Sequence, residues 1–257
     1  MEKAYRIENI SELKGFQAED YSRIYYGSEF CQHLLPELSE LSQVVDFAKK
    51  TKIGLSLLTP YLTNRGIDKV LKLMELLIEE EKELDQTFEI IINDYGLIHA
   101  LREQKKPLKV VGRLLSWQKR AIRPYLKDEN FDPDLSNFNT YSPDYIKLLK
   151  SYGINRIEFD NTFWGLPENL KEYGLGVSVY VPYVFIAFTS PRFCLHGNNV
   201  WTSDCLAACR GKPPIIMKSP RMPLPLIMKG NAQFYKNENL EKNIENKGVD
   251  RIVYENP

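Results

Sequence analysis

The side chains best equipped for chemistry are the four cysteines, Cys31, Cys194, Cys205 and Cys209. Three of them fall within the span 194–209, and the first stands alone near the start of the chain. Soft thiolate ligands favour zinc or an iron–sulfur cluster. If the Cys205-x-x-x-Cys209 pair lies on a local helical turn, both sulfurs point to one side, because residues four apart share a helical face. Cys31 joins them if the fold brings an early and a late strand end together. The three-plus-one spacing matches neither a zinc knuckle nor the tight ferredoxin run. Zinc, a cluster and four unrelated thiols therefore all stay open at this point. Four unevenly placed cysteines are too few for a disulfide scaffold.

Polar residues at strand ends form a second candidate set. Asn93-Asp94-Tyr95 and Asp160-Asn161 each follow an apolar run. A carboxylate there can orient a substrate or act as a base, and it can equally cap the next helix. Arg113 follows Val111-Gly112, where a guanidinium can grip a carboxylate or phosphate with two nitrogens; a salt bridge is the plainer role for it and for Arg120. Asp94, Arg113 and Asp160 are the catalytic candidates. Arg192, His196 and Lys212 can donate toward a thiolate site, and His33 stands two residues after Cys31. The three histidines compose neither an HExxH pair nor a triad, and no GxSxG is present.

These residues need elements to position them. Ser22–Tyr26, Ile53–Leu58, Phe88–Ile92, Leu108–Val111, Arg156–Phe159, Gly176–Tyr180 and Arg251–Tyr254 read as strands. Between them, Leu38–Lys50 and Ile67–Glu83 carry apolar residues at helical spacing, and Ile98–Arg102 and Leu166–Glu172 read as shorter helices. The alternation predicts an α/β fold, a TIM-like (β/α) barrel with some irregularity, with the cysteine site at its rim. No GxGxxG follows the first strand, which argues against a dinucleotide-binding sheet. The reading is one domain over 1–257, with an irregular insertion at about 116–144 and a proline-rich, irregular segment at about 211–225. The apolar stretch Leu175–Phe188, interrupted by Pro182, reads as a buried strand pair or a strand and loop.

Composition narrows the partners. With 34 basic and 34 acidic side chains, the chain offers no bulk charge for nucleic acid or a membrane surface. A local patch from Lys105, Lys106, Arg113, Lys119, Arg120 and Arg123, with Trp117 and Tyr125 for stacking, keeps RNA as a lesser alternative. No run is long and apolar enough for a membrane span, and no export signal is evident, so a cytoplasmic protein is expected.

The ordered segments YYGSEFC (Tyr25–Cys31), NDYG (Asn93–Gly96), VGRLLSWQKR (Val111–Arg120) and the Cys194-Cys205-Cys209 group resemble the collagenase-like peptidases of unknown catalytic type. The resemblance is nearest to the branch that assists oxygen-independent ubiquinone hydroxylation. It implies a barrel carrying a [4Fe–4S] cluster on Cys31, Cys194, Cys205 and Cys209. It also implies oxygen-independent hydroxylation of quinone precursors or RNA, a small carboxylic acid such as prephenate as oxygen donor, and a similar barrel as heterodimer partner. The interval from Cys194 to Cys205 is slightly shorter than in that branch, and the tail after Cys209 is short and proline-rich. With the cysteines engaged as ligands, none remains as a peptidase nucleophile.

Overall fold

A computed structural model describes residues 1–81, 87–116, 118, 142–188, 194, 196, 205–220 and 224–256. Its strands in chain order are β1 (Glu2–Ile7), β2 (Arg23–Gly27), β3 (Gly54–Leu58), β4 (Glu89–Ile92), β5 (Leu108–Val111), β6 (Ile154–Asp160), β7 (Gly176–Val181), β8 (Tyr183–Phe188), β9 (Ile215–Met217), β10 (Leu226–Lys229), β11 (Ala232–Lys236) and β12 (Arg251–Tyr254). The helices are α1 (Leu38–Thr51), α2 (Asn64–Glu81), α3 (Tyr95–Ala100), α4 (Pro143–Ser151) and α5 (Ile244–Lys247). Strands β1 to β7 and β12 close a parallel barrel in the order β1-β12-β7-β6-β5-β4-β3-β2. The expected TIM-like barrel is therefore present.

Local chemistry explains the helices that flank it. In α1, Leu41, Val44, Val45 and Ala48 form a buried stripe against the barrel wall. Its start is fixed by a capping box in which the Glu37 backbone N–H donates to Glu40 Oε2 at 2.8 Å. In α2, Val70, Leu73, Met74 and Leu77 do the same. Each such side chain removed from water contributes about 1.5–3 kcal/mol before the entropy of ordering is set against it.

One strand lies outside the sequence reading, and two expectations need correction. The N-terminal segment is a barrel strand, β1, hidden because Lys3 and Arg6 break its apolar pattern. The helix expected over Leu166–Glu172 is only a 3-10 turn at Leu170–Tyr173. The proline-rich segment contributes β9, the edge of a four-stranded antiparallel sheet ordered β8-β11-β10-β9 that is inserted between β7 and β12. The apolar stretch ending at Phe188 is indeed a strand pair, but Pro182 divides it between the barrel and this second sheet. Of the insertion at about 116–144, residues 117 and 119–141 lie outside the described residues. So do Arg120 and the other basic and aromatic residues proposed there for RNA.

Inside the barrel, an apolar cluster of Ala4, Tyr25, Leu58, Ile91, Val110, Tyr180 and Val253 shares the space with ion pairs, which the branched aliphatic layers usual for this architecture lack. Near the strand starts, Arg251 grips Glu89 with two nitrogens at 2.7 and 2.9 Å and reaches Glu2 at 2.6 Å. Higher up, Tyr25 and Tyr180 each donate to Glu158 at 2.9 Å, and Arg251 donates to the Tyr25 hydroxyl at 2.8 Å. A column of paired polar groups therefore runs inside a shell of apolar strands.

Candidate functional site

At the C-terminal ends of the strands the column finishes in a buried cage around Arg113. Arg113 follows β5, Glu29 follows β2, Asp160 ends β6 and Glu255 follows β12. All five N–H bonds of Arg113 are used. Nε and Nη2 donate to the two oxygens of Glu29 at 2.9 and 2.8 Å. Nη1 donates to Asp160 Oδ1 and Glu255 Oε1, and Nη2 to Glu255 Oε2, each at 2.8 Å. Arg113 and Asp160 are fully buried. The Arg113 guanidinium carbon lies 3.8 Å from the Tyr180 ring centroid. Burial opposes its charge, but Glu255, Glu29 and Asp160 outweigh that and hold its pKa well above the ordinary arginine value.

The second sheet closes this end of the barrel. Phe185 from β8 and Phe234 from β11 pack on Phe30, with ring centroids at 4.8 and 5.3 Å. The Phe185 backbone N–H donates to Asp160 Oδ1 at 3.2 Å, which ties the sheet to the cage. Arg113 does hold carboxylates with two nitrogens, as its sequence position suggested, but they belong to this chain. Asp160 joins it there, whereas Asp94 stands apart. Asp94 caps α3, its Oδ1 accepting from Leu97 N at 2.9 Å and its Oδ2 from Leu62 N at 3.2 Å.

Beside the cage, loops place the cysteines. Cys31 follows β2, where Ser28 Oγ donates to its carbonyl at 2.7 Å. Cys205 and Cys209 do not share a helix, contrary to expectation. Ala207 adopts φ 53°, the left-handed region, and the chain turns there, with the Arg210 N–H on the Ala207 carbonyl at 2.8 Å. Arg210 then anchors the turn to Glu40 of α1 at 3.0 Å. All four thiols are free.

The four thiols are electrostatic neighbours. Burial pushes the Cys31 thiol up to about 11, opposed by the His33 backbone N–H, and the other three cysteines, Cys205 first, add to the rise. Cys209 is raised by burial and by Cys194, with Cys205 and Glu8 adding to it. His33 thus acts through its backbone. Among the described residues, no three His, Cys, Asp or Glu side chains gather in a way that could hold a metal ion. Arg192 lies outside the described residues.

A shallow pocket opens to solvent between the cysteine turn and the barrel rim. Cys209 forms part of its wall, Arg6 of β1 lines it beneath the loops, and the Lys229-Gly230-Asn231 turn closes one side. Asn231 Nδ2 donates to the Phe30 carbonyl at 2.8 Å, pinning that turn to the loop before Cys31.

Sequence reasoning missed Glu29, Glu255 and Arg6. Glu29 lies inside the YYGSEFC segment, and Glu255 holds the same place after β12 that Asp160 holds on β6. Arg6 had no signal once β1 was overlooked.

The fold and rim define a (β/α) barrel protein with four free thiols beside a charged, covered mouth. No protein-family model matches the chain. No curated protein matches it either. Among solved structures it is similar to the copper homeostasis protein CutC of Streptococcus agalactiae, at 14% identity and TM-score 0.44 over 70% of this chain and 88% of that one. It is also similar to human YKL-39, described as a pseudo-chitinase, at 11% identity and TM-score 0.38 over 98% and 91%. A chitinase of Trichuris suis gives 8% identity and TM-score 0.40 over 98% and 91%. At such identities and scores these likenesses carry no argument about activity.

Proposed function

We propose that the chain is a [4Fe–4S] barrel protein of the collagenase-like peptidase kind, acting in the cytoplasm in oxygen-independent hydroxylation or related redox chemistry on a small molecule or RNA. Cys31, Cys194, Cys205 and Cys209 would hold the cluster, which supplies electron transfer when bound. The observation that carries the reading is that all four cysteines are free, with Cys209 in the wall of the rim pocket whose Asn231 turn is pinned to the loop before Cys31. The donor set fits a cluster in type, being four free thiols.

The chain's own residues have definable parts. Ser28 and the His33 backbone N–H fix the Cys31 loop. Arg210 and Asn231 hold the walls on which Cys209 sits. A small carboxylic acid donor would enter beside Cys209 rather than at Arg113, whose donors are all engaged.

One observation favours a second reading, a noncatalytic cluster-bearing subunit working through a similar barrel. Arg113 and Asp160 are fully buried, so neither is open to a substrate. In that reading, the exposed Ile215 and Ile216 of β9 offer a contact edge.

Anaerobically purified protein, assayed for iron, acid-labile sulfide and visible absorbance beside Cys209→Ser, tests the proposal. About four irons and four sulfides per chain, reduced in the variant, are expected for a cubane on four cysteines. Protein without iron or sulfide after reconstitution would overturn it.

A further inference from the structure

The segment that carries the last two cysteines stands out in charge. From Cys205 to Asn237 the chain holds Arg210, Lys212, Lys218, Arg221, Lys229 and Lys236 and no Asp or Glu, although acids and bases balance over its whole length. Arg210, Lys229 and Lys236 are paired, with Glu40, Glu8 and Glu238. Lys212 and Lys218 are exposed and meet no acid among the described residues.

Apolar side chains protrude beside these lysines. Leu206, in the cysteine turn, is 93% exposed, and Ile215 and Ile216 of β9 are 46% and 63% exposed. Successive residues of a strand point to opposite faces, so β9 is uncovered on both. Ile215 lies opposite Met228 of β10. Two residues beyond Met228, a Cβ at Gly230 would stand 3.6 Å from Cys209 Sγ. The isoleucines and the cysteine turn therefore share one region of the surface.

The exposure selects the occupant. A partner of fixed shape laid on one face of β9 leaves the other isoleucine in water. Addition of a strand at the free edge is hindered too, because Pro213, Pro214 and Pro220 have no N–H to donate. RNA calls for stacking rings, and no residue from Leu206 to Lys218 is aromatic. A lipid headgroup layer surrounds both faces of a protruding strand, takes up aliphatic tips and offers anions to lysines.

We propose that the segment from Leu206 to Lys218 is a peripheral contact with an anionic lipid bilayer. Leu206, Ile215 and Ile216 enter the headgroup boundary, and Lys212 and Lys218 meet the charged headgroups. Contact brings the Cys205–Cys209 turn to the lipid surface. The inference is independent of what the thiols hold, so it and the cluster reading can fail separately.

Cosedimentation of the anaerobically purified full chain with vesicles of phosphatidylcholine, alone or mixed with phosphatidylglycerol, provides the test. Binding to the mixed vesicles is expected, weakening as salt rises. Lys212→Gln and Lys218→Gln should each weaken it about fivefold. Ile216→Ser should weaken it about tenfold, and because Ile216 is exposed the fold is kept. No binding to the mixed vesicles, equal binding to phosphatidylcholine alone, or unchanged binding by these variants would overturn the proposal. A chain that ignores vesicles but forms a dimer broken by Ile216→Ser would overturn it as well, giving this surface to a second copy.

Discussion

Arg113 Nη2 and Arg6 Nη1 donate to one oxygen, Glu255 Oε2, at 2.8 and 2.7 Å. That shared acceptor joins the first barrel strand to the last and to the loop after β5. Glu29 approaches both arginines as well, and Asp160 meets Arg113.

Removing Arg113 should therefore cost more than a surface pair would. Arg113→Met leaves three carboxylates buried around an apolar side chain, and loss of about 3–5 kcal/mol is expected. Arg113→Lys should recover only part, because an ammonium cannot match five fixed donor directions. Urea unfolding of the three proteins measures both differences.

Glu158 should give the protein a pH-dependent stability of unusual sign. Burial, then the Glu29 charge, raises its carboxyl to about 8 against the opposing tyrosine hydroxyls and Arg251. The folded state then keeps a proton that the unfolded chain releases above the ordinary carboxylate range. The contribution is fully present at acid pH and is lost as pH rises toward 8, with a slope of at most about 1.4 kcal/mol per unit. Glu158→Gln should flatten that slope in unfolding curves taken from pH 5 to 9; an unchanged slope would place the proton elsewhere.

Glu89 runs the other way. Burial alone would raise it, but Arg23 and Arg251 hold it down to about 2. Its contribution is present above the normal carboxylate pKa and fades as pH falls toward 2. Glu89→Gln should lower stability at neutral pH and differ least from the parent in strong acid, as thermal melts across that range will show.

Gly112 is required by space. A Cβ there would stand 2.3 Å from Asn93 Oδ1, an atom that accepts the Leu114 N–H at 3.0 Å. Gly112→Ala should cost about 1–3 kcal/mol through overpacking, read by chemical denaturation.

Asp94 separates a capping role from a catalytic one. Asp94→Ala should lose about 0.5–2 kcal/mol of stability, while Asp94→Asn, which keeps an acceptor, loses little. If the asparagine protein were as stable as the parent yet had lost its activity, the capping role would be incomplete.

Much of this was legible before folding. The strand and helix alternation from Ser22 to Tyr254 stated a (β/α) barrel, because a half-buried helix and a fully buried parallel strand leave different apolar periods. Strand ends were legible too, which is how Arg113 and Asp160 were singled out together. By itself the sequence determined the barrel and the positions available at its rim. Only the tertiary structure decided who meets whom there. Strand closure set Glu255 against Arg113 and Arg6 across more than a hundred residues of chain. The inserted sheet covered the cage with Phe185 and Phe234, a result of packing between segments that carry no local mark of each other. Ala207 turned the Cys205–Cys209 segment away from a helix. Local periodicity reports a residue's own element; ion pairing in a closed barrel depends on register and closure, which no local window contains.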